Sequence, residues 1–90
     1  MDAVLIMPNG MEKEVKPKNG THFQLDEMYA MLDCEIVQFL NTQDDRLMIC
    51  DEMGKLRGLE VNTKATDLYE FGIYDPIVGA VLICKHDLIK

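Results

Sequence analysis

Two runs, one towards each end of the chain, are apolar at every position: Ala3-Val4-Leu5-Ile6-Met7 and Ile77-Val78-Gly79-Ala80-Val81-Leu82-Ile83-Cys84. A strand wetted on one side alternates apolar and polar residues. A run without that alternation is the mark of an interior strand. The two runs are therefore expected side by side near the middle of a sheet. Pro8-Asn9-Gly10 closes the first as a turn. The stretch Met11–Lys16, rich in Glu12, Lys13, Glu14 and Lys16 and ended by Pro17, reads as a solvated edge strand folded back in a hairpin.

Between the runs lie two helical signals and a second hairpin. Thr21 followed by Gln24 fits a capping box. Leu25, Met28, Tyr29 and Leu32 then fall on one helical face, with Asp26 and Glu27 near the N-terminus, where the dipole favours acids. Cys34–Leu40 and Arg46–Cys50 read as two strands joined by the polar turn Asn41–Asp45. Leu56–Val61 fits a short strand or an extended connector. Asn62 or Thr63 caps a second helix whose Ala65, Leu68 and Tyr69 share a face, with Gly72 as its stop. Gly79 is a candidate bulge in the last run.

These elements give one α+β domain over residues 1–90, in the order β-β-α-β-β-α-β. The expected architecture is a mixed or antiparallel five-stranded sheet with two helices packed mainly on one face. Two short helices leave the far face to loops, to curling of the sheet or to another subunit, which points to self-association as a homodimer. Ninety residues with 48% apolar content supply a single core without disulfide staples.

The net charge is −7, from 16 acids against nine bases. Nucleic-acid binding depends on phosphate neutralisation, so no nucleic-acid partner is expected, and an anionic membrane surface is disfavoured for the same reason. An acidic DNA mimic, which would occupy a basic protein, stays compatible with this balance. Cys34, Cys50 and Cys84 are odd in number and widely spaced. They form no C-x-x-C, and each sits in an apolar run, so they read as reduced, small hydrophobes of a cytoplasmic protein. The start of the chain shows no basic leader, and no window approaches the roughly 18 apolar residues of a membrane span.

Chemistry is sparse. The chain has no serine, which removes serine nucleophiles. Cys84 and His86 lie two apart on the expected last strand, with Asp87 next, and form the best nucleophile–base cluster. The plainer reading packs Cys84 in the core and leaves His86 at a fraying end. Asp44, Asp45, Asp51 and Glu52 crowd the end of the second hairpin without the calcium-loop pattern, and no cofactor or metal site is indicated. No phosphate-cradling glycine motif occurs.

Certain segments carry a family likeness: Asp51-Glu52-Met53-Gly54-Lys55-Leu56, Gly58-Leu59, Asn62-Thr63-Lys64-Ala65 and Asp75-Pro76-Ile77-Val78-Gly79-Ala80-Val81-Leu82-Ile83. With them the chain resembles the family called domain of unknown function 3846, small proteins of phages, mobile elements and gut bacteria. Asp51 and Thr63 stand where that family carries asparagine and arginine. The resemblance implies an α+β domain and brings no established activity with it.

Three functional readings follow. The first is a non-enzymatic accessory or protein-interaction domain of bacterial or mobile-element origin. The second is a small-ligand-binding regulatory domain with a site near Asp51, Glu52 and Asn62. The third is the acidic DNA-mimic form of inhibitor. An enzyme built on Cys84 and His86 ranks below all three.

Overall fold

The structure, a computed structural model, describes residues 3–89. Its elements are β1 (Ala3–Ile6), β2 (Glu12–Glu14), α1 (Leu25–Leu32), β3 (Val37–Asn41), β4 (Leu47–Asp51), α2 (Thr63–Leu68) and β5 (Val81–Cys84). A 3-10 turn, His86–Leu88, follows. The five strands form one antiparallel sheet in the order β2-β1-β5-β4-β3. The two apolar runs lie next to one another, with Ala3 opposite Cys84 and Ile6 opposite Val81. The acidic and lysine-bearing β2 is an edge, as its composition requires.

The helices correct the expected layering: they cover opposite faces of the sheet. Val4, Ile6, Met48, Cys50, Val81 and Ile83 pack with Ala65 and Tyr69 at α2. Their strand neighbours Ala3, Ile49, Leu82 and Cys84 point the other way, against Met28 and Leu32 of α1. Side chains alternate along a strand, so inner strands that are apolar throughout need cover above and below. One helix on each side meets that need. The bare face that suggested a second subunit is the face that α2 covers.

Local details shift some boundaries. The cap of α1 is Gln24, whose N–H donates to Glu27 Oε2 at 2.8 Å; Thr21 lies in a turn held by Asn19 Oδ1. β2 is limited to three residues. The hairpin strands begin and end slightly later than their apolar runs, and Val37–Asn41 pairs with Leu47–Asp51 across a five-residue turn. Leu56–Val61 is a turn and connector; Val61 makes an isolated bridge with Val78, ahead of β5.

β5 is confined to Val81–Cys84 because Gly79 adopts φ +77°, a left-handed conformation that interrupts the ladder. A side chain there would also press on Leu59. Gly72 is needed for a different reason from the expected one. Tyr69 already leaves the helical conformation, and a Cβ at Gly72 would overlap the Thr66 carbonyl oxygen.

The end of α2 is closed from outside. Gln43, in the β3–β4 turn, donates its backbone N–H to Leu68 O at 2.9 Å and its side-chain amide to Asp67 O at 3.0 Å. Orphan carbonyls of a helix end are thereby satisfied by a residue from another element. Glu70 N–H then donates to Asn41 O at 3.1 Å, and Thr42 bridges Tyr69. Residues Leu68–Glu70 thus begin a sixth strand beside β3 and leave it after one bridge.

Candidate functional site

Asn62, one of the three residues expected near a ligand, sits where the backbones of β1, α2 and the segment that leads into β5 meet. Its side chain is wholly buried. Nδ2 donates to Ile6 O at 3.0 Å and Gly79 O at 2.9 Å, and Oδ1 accepts from Ala65 N at 3.1 Å as the cap of α2. One donor pair and one acceptor are used, so these bonds hold the helix end to β1 and to the segment that leads into β5.

Asp51 ends β4 and is buried beside the carboxyl end of α1. Oδ1 accepts from Met53 N at 2.9 Å, and Oδ2 takes an ion pair from Arg57 Nη1, which also donates to Asp33 O at 2.9 Å. Arg57 therefore ties the loop after β4 to the end of α1. Around this pair lies a cleft of about 430 Å³ bordered by Tyr29, Cys34, Ile36, Met53 and Arg57. The charge of Arg57 is already matched by Asp51 inside it.

Glu52 is exposed. Asp51 and Glu52 border a second, smaller cleft of about 230 Å³ with Gln38, Leu56 and Pro76. Asn62 borders neither cleft that holds Asp51. The structure brings Asp51 and Glu52 together by sequence adjacency and keeps Asn62 apart in the core.

Cys84 and His86 do not form a dyad. Cys84 is fully buried on the α1 face of β5, and burial, with a smaller contribution from Asp87, pushes its thiol up to about 11. The chain leaves the strand at Lys85, so strand alternation no longer aligns the pair. His86, exposed in the 3-10 turn, faces Asp45 at 3.6 Å. A nucleophilic cysteine needs a lowered pKa and access, and Cys84 has neither. Cys50 is likewise raised by burial to about 11. Among the described residues no group of three or more His, Cys, Asp or Glu side chains is placed to hold a metal ion. No helix among them is long and apolar enough to cross a membrane.

Sequence reasoning missed the surface beside β3. Leu56, Ile73 and Tyr74 are 81%, 92% and 85% exposed, and Phe71, Phe39 and Ile36 are about half exposed. Three links bring Leu56 and the Phe71–Tyr74 loop beside the edge strand β3, from which Phe39, paired with Ile49, projects to the α1 side. Glu70 pairs with the end of β3, Lys55 forms an ion pair with Asp75, and Leu56 borders the same cleft as Gln38 and Leu40 of β3. Phe71 is oriented by an edge-on contact with the buried Tyr69 ring, centroids 6.0 Å apart. The available signal was the tract Phe71-Gly72-Ile73-Tyr74, which carries three large apolar residues on a segment with no helical or strand period.

β3 itself is an open edge. Glu52 N–H donates to Ile36 O at 3.1 Å and Thr42 N–H to Arg46 O at 3.0 Å, so even-numbered residues face β4. Antiparallel alternation then turns the N–H and C=O of Val37 and Phe39 outward. Among the described residues neither pair has a partner.

Comparison with curated proteins and with solved structures finds no match. The family model for Domain of unknown function (DUF3846) matches residues 1–88, and with the α+β fold described above, the chain belongs to that family.

Proposed function

We propose that this protein is a non-enzymatic protein-interaction domain, and that its contact surface is the apolar ground beside β3: Phe39, Leu56, Phe71, Ile73 and Tyr74. One observation carries this reading. Leu56, Ile73 and Tyr74 stand almost fully in solvent on two loops that meet beside β3, next to the half-exposed Phe39 and Phe71. Isolated exposed apolar residues are ordinary, whereas a group gathered along one edge marks a docking surface. Aromatic residues favour such surfaces because they cover much area at little entropic cost. Three free cysteines, two of them deeply buried, support a reducing, cytoplasmic setting for the encounter.

The test is a comparison of bait proteins in an extract of the native host. Wild type is set against a variant carrying Leu56→Ser, Ile73→Ser and Tyr74→Ser. All three positions are solvent-facing, so thermal unfolding of the variant should match wild type. A partner enriched on wild type, absent from the variant and rebinding as a purified protein supports the reading. Identical capture by both baits would sink it.

A further inference from the structure

We infer that the partner docks on this surface as an extended, apolar segment with basic ends, adding a strand to β3. This rests on the interaction reading above and specifies its geometry. The two edges of the sheet differ. β2 is three residues of alternating charge, the usual guard against strand addition. β3 is five residues, Val-Gln-Phe-Leu-Asn, with no charge, no proline and no bulge. An edge of that kind is a template for another chain.

The template is already half used. The chain's own Leu68–Glu70 pairs with the Asn41 end and then turns away, leaving Val37 and Phe39 with outward-pointing donors and acceptors. An added strand would satisfy those four groups and place an apolar residue beside Phe39.

Charge selects the occupant. Glu35 and Glu52 stand at the start of the open edge and Glu70 at its end, all exposed and without an ion pair among the described residues. The nearby bases are engaged: Arg46 with Asp44, Lys55 with Asp75, Arg57 with Asp51. A second copy of this chain, itself at −7, would bring acids against these acids. A segment with lysine or arginine at its ends matches them.

The experiment titrates the whole protein, isotope-labelled, with a capped peptide of alternating valine and threonine ended by lysine on both sides. Two control peptides are used: the same peptide ended by glutamate, and the same peptide N-methylated on the amides of one edge. The expected result is perturbation and slowed hydrogen exchange of the Val37 and Phe39 amides, with the glutamate peptide at least about tenfold weaker. N-methylation of the edge facing β3 and Phe39→Lys in the protein should each abolish the effect. Equal binding of the methylated peptide, or perturbation confined to Phe71–Tyr74, would overturn strand addition while leaving the interaction surface standing. A dimer in light scattering that Phe39→Lys dissociates would assign the edge to a second copy and overturn the basic segment.

Discussion

Arg57 Nη1 bonds the Asp51 carboxylate and the Asp33 carbonyl at once, so one guanidinium holds the loop after β4 against the end of α1. The two partners are not equivalent: the Asp51 side chain is 3% exposed and that of Arg57 is 43% exposed. Arg57→Ala strands a buried carboxylate with only the Met53 N–H. Asp51→Asn frees an arginine that reaches water by itself. Urea unfolding should therefore show Arg57→Ala costing about 1–3 kcal/mol, and Asp51→Asn less. The reverse ranking would show that Asp51 is not held by Arg57 in solution.

Asn62→Ala removes the cap of α2, leaves the buried Gly79 carbonyl without its donor and takes from the Ile6 carbonyl the second donor it has beside its ladder bond to β5. The expected loss is about 2–4 kcal/mol, and each kcal/mol lowers Tm by about 4–8 °C in a domain of this size. Glu52→Ala, on the exposed neighbour of Asp51, should stay within about 0.5 kcal/mol. Near-equal melting temperatures for the two variants would mean that the buried bonds of Asn62 contribute little.

The centre of the sheet was legible because Ala3–Met7 and Val81–Cys84 leave no polar side to expose. The same feature held the answer to the helix layering. Val4 and Ile6 point to one face and Ala3 and Leu5 to the other, so strands that place the pair in the interior also ask for cover on both sides. Counting two short helices hid that requirement. Asn62 was readable as a cap from its position before Thr63-Lys64-Ala65. The Arg57–Asp51 tie was not, because a six-residue separation across an irregular turn has no period to recognise. The open edge of β3 needed the pairing register, which only the fold supplies.

The thiols should sort by burial. Cys50 and Cys84 are raised to about 11, and Cys34 is half-buried and raised less strongly, chiefly by desolvation with a smaller push from Asp51. At pH 8 a thiol at about 11 is ionised to roughly one part in a thousand. Iodoacetamide labelling of native protein, followed by peptide mass spectrometry, should modify Cys34 first and the other two only as fast as the chain unfolds. In urea all three should react alike. Native labelling of Cys84 at the rate of Cys34 would contradict its place beneath α1.

Acid should loosen the start of α1 through Glu27. Its carboxylate accepts from Gln24 N–H at 2.8 Å and Lys18 N–H at 2.7 Å, and these bonds, the first being the larger, hold it below the ordinary glutamate value. A depressed folded value means the unfolded chain binds the proton more readily. The stabilisation is then complete above the unfolded value of about 4.3 and fades as pH falls through the lower folded one. Asp44, lowered first by Arg46 and then by the Thr42 hydroxyl, adds to the same acid slope. Glu27→Gln removes its share of that slope. At pH 7 the variant should unfold at lower urea than wild type, and the gap should narrow steadily on acidification. A gap independent of pH would separate this carboxylate from the acid sensitivity of the fold.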